Sequence, residues 1–114
     1  MPPPITRHTD SFATLGQIAP DHVAEIAQLG YKSVINNRPD GEGGADQPSN
    51  ASIQAEAEKL GLHYVYLPVV PGAFTPQQVQ EMARLLKELP GPILAFCRSG
   101  ARSTNLYNFA LQIG

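Results

Sequence analysis

The segment AFCRSGARS, residues 95–103, carries the residue types of a nucleophilic site. Cys97 is the only cysteine in the chain, and Arg98, Gly100 and Arg102 follow it within five positions. The thiolate is the nucleophilic form of cysteine, and both nearby arginines and helix N-termini lower the pKa of a thiol. The segment therefore predicts a reactive cysteine. The alternative is a small cysteine that is buried for packing beside exposed arginines.

The residues after Cys97 also predict a loop that binds an anion. Their successive backbone N–H groups would form a concave nest, and the start of a helix adds its positive dipole end. Arg102 could clamp an oxyanion with a bidentate fork, and Ser103 could donate a hydrogen bond to the thiolate. Cys97, Arg102 and Ser103 are thus the predicted catalytic residues. Four residues are predicted to bind substrate through the nest, in which the glycine permits a turn with positive φ: Arg98, Ser99, Gly100 and Ala101.

Short apolar runs alternate with helical patterns along the rest of the chain. Runs rich in β-branched and aromatic residues predict strands at residues 32–36, 63–69 and 92–96, with a further short strand within 11–18. Apolar residues at helical spacing, bounded by Pro and Gly, predict helices over 20–29, 50–60, 76–89 and from residue 102 onward. In the last helix, Leu106, Phe109, Ala110 and Ile113 have the spacing of one buried face.

This order of elements predicts an α/β fold, in which a small, mostly parallel sheet is flanked by helices and the active loop joins the last strand to the last helix. Because ligands bind at the C-terminal edge of such sheets, the loops that begin at Arg38, Pro68 and Cys97 are predicted to meet at one rim. Arg38 is then a candidate to bind an anion, or an ordinary arginine at a strand end. Asp40 or Glu42 is a candidate general acid, and for Asp40 the favoured alternative is turn chemistry in Pro-Asp-Gly.

The length and composition favour a single domain over residues 1–114. Its first ten residues are predicted to form a loose arm, or one paired at a sheet edge, because three prolines bar a helix there. Charged residues make up only 16% of the chain and the net charge is −2, so no nucleic-acid partner is expected. No apolar run could span a membrane and nothing argues for an oxidising compartment, which favours the cytoplasm. One Cys and three scattered His predict no metal site, and no cofactor is predicted.

The loop CRSGARS (97–103) resembles the active loop shared by cysteine-dependent phosphatases and rhodanese sulfurtransferases. From about Gln17 onward the chain is similar to a small bacterial family, the beta-lactamase-hydrolase-like, phosphatase-like domain, which some names call a sulfur transferase. The resemblance rests on INNRPDGE (35–42), QPS (47–49), YVYLPVVPG (64–72) and LAFCRSGARS (94–103). It implies a dual-specificity-phosphatase-like fold. Because family members occur alone or fused to metallo-β-lactamase-type domains, it also implies a persulfide dioxygenase of that type as a candidate partner.

Two departures from the phosphatase pattern bear on the chemistry. Phosphatases space cysteine and arginine as C-x5-R, whereas four residues separate Cys97 from Arg102, as in rhodaneses. Dual-specificity phosphatases resemble Y-x-x-[IL]-P-x-x-D, whose Asp protonates the leaving oxygen, but Pro71 stands at that position here. Such an acid contributes about 10²–10⁴-fold to the rate. Sulfur transfer needs it less, because a low-pKa thiol or sulfite leaves without a proton.

The departures lead to the main prediction, a rhodanese-like sulfurtransferase. Cys97 would take a sulfane sulfur from a small donor, become a persulfide and pass the sulfur to an external thiol or cyanide. The alternative is a cysteine-dependent phosphatase that acts on a protein or a small phosphoryl substrate through a phosphocysteine. A third hypothesis is a non-catalytic module that senses oxyanions or persulfides together with a partner.

Overall fold

A computed structural model describes residues 2–113 as a five-stranded sheet with helices on both faces. The strands are β1 (Thr6–Thr9), β2 (Phe12–Leu15), β3 (Ser33–Asn36), β4 (His63–Tyr66) and β5 (Ile93–Phe96). The helices are α1 (Val23–Gln28), which follows a 3₁₀ turn at Pro20–His22, α2 (Asn50–Lys59), α3 (Pro76–Glu88) and α4 (Ala101–Ile113). The predicted helices and strands are confirmed, with ends that differ by a few residues. No helix within residues 2–113 is long and apolar enough to cross a membrane.

The sheet has the strand order β1-β2-β5-β3-β4, and every pair except β1 with β2 is parallel. The prediction of a small, mostly parallel sheet flanked by helices is therefore confirmed. The last residues of the parallel strands are aligned in register, because Phe96 pairs with both Leu15 and Asn36, and Asn36 pairs with Tyr66. The loops that leave these strands consequently start from one edge of the sheet.

Of the two alternatives for the N-terminal arm, the structure shows the edge-paired one, because Thr6–Thr9 of the arm form strand β1. Thr6 and Arg7 lie opposite Thr14 and Ala13 in an antiparallel ladder with β2. Without this strand, β2 would present a row of unpaired backbone groups at the edge, which folded proteins avoid. Met1, the first residue of the predicted arm, lies outside the described residues.

Side chains of β5 point alternately into two apolar layers. Leu94 and Phe96 join the layer under α1 and α2, whereas Ile93 and Ala95 join the layer under α3 and α4. All four side chains are at most 3% exposed, as expected for the central strand of a sheet covered on both faces. The strand that ends at the cysteine is thus anchored by packing on both sides.

Helix α4 buries part of the predicted face. Leu106 and Ala110 are buried as predicted, whereas Phe109 and Ile113 are 50% and 56% exposed, and Tyr107 is buried in their place. Tyr107 stacks on Phe12 of β2 with ring centroids 4.0 Å apart. This contact draws Tyr107 toward the sheet and leaves the next turn of the helix facing outward.

Candidate active site

Cys97 follows the last residue of β5, and its side chain forms the floor of a short loop that leads into α4. The residue is 1% exposed. The backbone N–H of Gly100 donates to Cys97 Sγ at 3.1 Å, which bends the loop over the sulfur. Gly100 has φ = +93°, as predicted, and a Cβ there would also come within 3.3 Å of the backbone of Leu15. Only glycine meets both demands without strain.

The loop lowers the pKa of the Cys97 thiol below its ordinary value. Burial by itself raises the pKa of this thiol. Hydrogen bonds from the backbone and hydroxyl of Ser103 and from the backbones of Ser99 and Gly100 favour the thiolate and together outweigh the burial. This environment is that of a reactive cysteine and not of an inert, buried one.

The Ser103 hydroxyl lies between two acceptors, Cys97 Sγ and the side-chain oxygen of Asn37. It donates to Asn37 Oδ1 at 2.8 Å, and Asn37 Nδ2 donates in turn to the Leu67 carbonyl at 2.9 Å, which fixes the orientation of the amide. The hydroxyl has a single proton. A charged thiolate is the stronger acceptor, so ionisation of Cys97 is expected to draw this proton toward the sulfur.

Replacing Ser103 by alanine is expected to raise the pKa of the Cys97 thiol, because it removes the hydroxyl that favours the thiolate. The measurement is the far-ultraviolet absorbance of the thiolate as a function of pH. Ser99→Ala is the matched control: its backbone N–H is kept, and its hydroxyl accepts from the backbone of Ala101 at 3.4 Å. The same titration midpoint in Ser103→Ala and wild type would contradict the role assigned to the hydroxyl.

Arg102 lies in the first turn of α4 and its side chain is only 8% exposed. Its Nη1 and Nη2 each donate to one carboxylate oxygen of Glu42 at 3.0 Å, and Nη1 also donates to the carbonyl of Val69 at 3.1 Å. Within residues 2–113, Arg102 Nε is the one buried side-chain nitrogen or oxygen that has no hydrogen-bond partner. A buried donor without a partner is costly, so an oxyanion that reached this atom would remove that cost.

Glu42 bridges two arginines. Besides the pair with Arg102, its Oε1 accepts from Arg38 Nε at 3.0 Å, and Arg38 Nη1 donates to the side chain of Gln17 at 3.2 Å. Hydrogen bonds from Arg102 hold the pKa of Glu42 below its usual value; burial opposes this shift, and Arg38 adds to it. Glu42 is therefore a carboxylate near neutral pH, and the prediction that it donates a proton is wrong. Arg38 reaches the rim, as predicted, through this shared carboxylate.

In the Glu42→Gln variant, the free energy of unfolding is expected to fall less steeply than in the wild type as the pH is lowered. A carboxyl group whose folded-state pKa is lowered stabilises the fold above its unfolded-state pKa of about 4.3, and this stabilisation is lost as the pH falls through the folded value. Urea unfolding of both proteins from about pH 7 to about pH 3 measures the difference. Glu56→Gln, which removes an exposed carboxylate that lies 3.8 Å from Lys59, is the control. Parallel stability profiles for wild type and Glu42→Gln would count against the bridge.

Asp40 is placed away from the loop, so its candidacy as general acid is wrong. Its carboxylate accepts the backbone N–H of Asn50 at 2.7 Å, at the start of α2. Its own N–H donates to the hydroxyl of Tyr66 at 2.9 Å. A carboxylate at a helix N-terminus satisfies a free amide and complements the dipole. Asp40 does lie in the predicted turn, in which Glu42 N–H donates to the Pro39 carbonyl at 3.3 Å, but its carboxylate binds the start of α2 and not the turn.

Asn37 and Gly16 support the site, and neither was predicted. The backbone of Asn37 donates to the Phe96 carbonyl at 2.8 Å and accepts from Val69 at 3.0 Å, so this residue joins three loops of the rim. A Cβ on Gly16 would lie 3.0 Å from the Arg98 carbonyl, which accepts from Gln17 N at 3.2 Å. In the sequence, the only signal was that each residue directly follows a strand that ends at this edge.

An open pocket of about 610 Å³ lies above the loop. Residues from all three predicted loops line it, which confirms that topology brings these loops together: Arg38, Glu42, Gly43, Pro71, Arg98 and Arg102. Three of these residues are arginines and one is a carboxylate, so the pocket is electropositive. An oxyanion is the ligand that suits it.

The sequence matches a protein family over residues 5–113, described as "Beta-lactamase hydrolase-like protein, phosphatase-like domain". The chain belongs to this family. It is 38% identical over 98 residues to the Beta-lactamase hydrolase-like protein of Xylella fastidiosa, an alignment that covers 86% of this chain and 22% of the relative. The chain thus spans about a fifth of the length of the curated relatives that it matches.

Solved structures share the fold. A protein from Neisseria meningitidis whose name assigns it to the phosphatases is 31% identical, with a TM-score of 0.82 over 90% of this chain and 72% of that one. A protein of similar name from Shewanella putrefaciens is 18% identical, with a TM-score of 0.80 over 99% of this chain and 71% of that one. The family resemblance and the phosphatase-like fold are therefore confirmed. Both of these solved structures are named as phosphatases, and neither name refers to sulfur transfer.

Proposed function

We propose that this domain is a cysteine-dependent phosphatase in which Cys97 is the nucleophile. The observation that carries the proposal is the buried, unpartnered Nε of Arg102 beside a loop that lowers the pKa of Cys97. A low-pKa thiolate, loop amides and a free guanidinium edge are the three elements that transfer of a phosphoryl group to sulfur requires.

The guanidinium geometry explains how Glu42 and a substrate can share Arg102. Glu42 occupies the end of the guanidinium with one bond to each terminal nitrogen. Nε–H and the second N–H of Nη2 point to the other side, where two parallel bonds to an oxyanion can form. Glu42 thus holds the fork in position, and substrate binding needs no break in the ion pair.

The reaction has two steps. In the first, Cys97 Sγ attacks phosphorus, the Sγ–P bond forms, and the bond from phosphorus to the leaving oxygen breaks with its electron pair on that oxygen. The loop amides and Arg102 stabilise the charge on the equatorial oxygens. In the second, water attacks phosphorus, the Sγ–P bond breaks, the thiolate returns and the water proton passes to solvent. The products are inorganic phosphate and the free leaving group.

The proposal is tested by hydrolysis of p-nitrophenyl phosphate. Release of p-nitrophenol is expected, with competitive inhibition by orthovanadate, which occupies an oxyanion site of this kind. If orthovanadate left the rate of hydrolysis unchanged, this would contradict the proposal that the reaction takes place at this oxyanion-binding loop. Inhibitor binding without turnover of any phosphoryl substrate would favour the non-catalytic sensing module instead.

Sulfur transfer is a second candidate, favoured by the four-residue spacing from Cys97 to Arg102 and by the proline at position 71. The thiolate would attack the outer sulfur of thiosulfate, the S–S bond of the donor would break, and sulfite would leave with the electron pair. An external thiolate would complete the cycle by attacking the outer sulfur of the Cys97 persulfide, which breaks the S–S bond and releases the Cys97 thiolate, because the chain has no second cysteine.

Mass spectrometry after incubation with thiosulfate or glutathione persulfide tests this second candidate. It predicts that Cys97 gains the mass of one sulfur atom. A thiol that stays unmodified with both donors, under conditions in which p-nitrophenyl phosphate is hydrolysed, would reject sulfur transfer and leave the phosphatase in place.

A further inference from the structure

Within residues 2–113, none of the side chains that line the pocket beside the cysteine loop can protonate a leaving group. Glu42 is the only carboxyl group among the pocket-lining residues, and two arginines hold it as a carboxylate. Asp40 is bound to the start of α2. The 67–75 loop on the opposite side of the pocket has no Asp, Glu or His, and Pro71 is its residue at the pocket wall. The leaving oxygen must therefore depart as an anion.

Departure as an anion restricts which substrates can react, because the activation free energy for breaking the P–O bond rises with the basicity of the leaving group. The phenolate of tyrosine is the base of a group with a pKa of about 10, and the alkoxide of serine is comparable with hydroxide, whose conjugate acid has a pKa of about 15.7. A phosphate monoester that leaves from an anhydride is far less basic, since its second pKa is about 6. Phosphoanhydrides thus need no acid, whereas phosphoserine and phosphothreonine depend on one.

Arg98 lies where it can stabilise such an anion. It is exposed, it lines the pocket directly after Cys97, and within residues 2–113 no ion pair involves it. Arg102 and Arg38, in contrast, both pair with Glu42. An exposed guanidinium in the pocket lining can form a fork to a departing phosphate and offset its charge without donating a proton.

From this arrangement we propose that the substrates are phosphoanhydrides, and that Arg98 stabilises the departing phosphate in place of a general acid. The inference rests on the proposed phosphatase function. The Sγ–P bond forms as the P–O bond of the anhydride breaks, and the electron pair leaves on the oxygen of the departing phosphate. That oxygen then takes a proton from solvent according to the pH.

Initial rates with four substrates test the inference: inorganic tripolyphosphate, p-nitrophenyl phosphate, phosphotyrosine and phosphoserine. Tripolyphosphate and p-nitrophenyl phosphate, whose leaving groups are weakly basic, are expected to react. Phosphotyrosine is expected to have a kcat/KM lower by about 10²-fold or more, the contribution of a missing acid, and phosphoserine to show no turnover. Equal turnover of phosphotyrosine and p-nitrophenyl phosphate would overturn this inference alone. Turnover of none of the four would overturn the proposed function with it.

An Arg98→Gln variant tests the part assigned to the arginine. The kcat/KM for tripolyphosphate is expected to fall by about 10-fold or more, and that for p-nitrophenyl phosphate to fall less, because the departing p-nitrophenolate has a single, delocalised anionic oxygen and cannot form a two-bond fork with Arg98. An equal loss with both substrates would show that Arg98 binds the transferred phosphoryl group instead. Arg7→Gln is the matched control, since Arg7 is an exposed arginine of the edge strand β1.

Discussion

Replacing Cys97 by serine is expected to lower kcat for p-nitrophenyl phosphate by at least about 10³-fold, which is the scale of loss when a covalent nucleophile is removed. The loop lowers the pKa of a thiol. A serine hydroxyl remains protonated in the same position and has no adjacent base. The change replaces one atom, and the N–H of Gly100 can donate to the new oxygen as it does to the sulfur. Steady-state assays over a range of enzyme concentrations measure the loss.

Binding of inorganic phosphate separates lost chemistry from lost structure. Because the amides and Arg102 are intact in Cys97→Ser, phosphate is expected to raise its melting temperature as it raises that of the wild type. A variant that binds phosphate but hydrolyses no substrate shows that the site is intact and that the activity is lost because the sulfur nucleophile is missing. Retention of more than a tenth of the wild-type kcat would instead mean that another group carries the reaction.

Replacing Arg102 by lysine is expected to lower kcat/KM by about 10²–10³-fold, which is the second large effect. Lysine keeps the positive charge but has no planar fork, so it cannot hold Glu42 and an oxyanion on two separate edges. The orphaned Nε that marks the ligand position also disappears. The loss is expected in the transition state, where charge on the equatorial oxygens must be stabilised, and therefore mainly in kcat.

Arg84→Lys is the matched control for this substitution. Arg84 also makes a two-bond pair with a glutamate, Glu81, at 2.7 and 2.6 Å, but on the outer surface of α3. It is expected to keep wild-type activity, since only an exposed ion pair changes. If Arg102→Lys were as active as Arg84→Lys, the fork would have no part in catalysis.

Local chemistry accounts for the part of the fold that the sequence could predict. Pro76 begins α3 as predicted, and Thr75 caps it: the Thr75 hydroxyl accepts from Gln78 N, and Gln78 Oε1 accepts from Thr75 N. Glycine with positive φ was expected at Gly100, and a short apolar run identified the central strand. Each of these patterns depends on residues that are close together in the sequence, so it can be recognised without knowledge of the tertiary structure. Parallel topology then placed three loops at one rim.

The partners of charged side chains at the rim could not be read in the same way. The sequence offered Asp40 and Glu42 as equal candidates two residues apart, and only the path of the loop sends one to α2 and the other to Arg102. The unpartnered Nε of Arg102 depends on which guanidinium edge Glu42 occupies. Asn37 was legible only as a residue after a strand, yet its bonds to Phe96 and Val69 join loops far apart in the chain.

The sequence alone was likewise insufficient to choose between phosphoryl transfer and sulfur transfer. The spacing of Cys97 and Arg102 and the proline at position 71 argued for sulfur on chemical grounds. The structure keeps those two facts but adds a free guanidinium edge, an electropositive pocket and phosphatase-like neighbours. The lack of a general acid does not exclude phosphoryl transfer. In our proposal it restricts the phosphoryl substrates to those with a weakly basic leaving group.

The most direct test of the central claim is identification of the covalent intermediate. The enzyme is mixed with p-nitrophenyl phosphate, quenched within a single turnover and analysed by peptide mass spectrometry. Cys97 is predicted to carry the mass of one phosphoryl group. A burst of p-nitrophenol equal to the enzyme concentration is expected with it, because the one carboxylate among the pocket-lining residues, Glu42, is held by two arginines and is a weak base for the second step. Turnover in which Cys97 is never phosphorylated, or in which another side chain carries the phosphoryl group, would contradict the account.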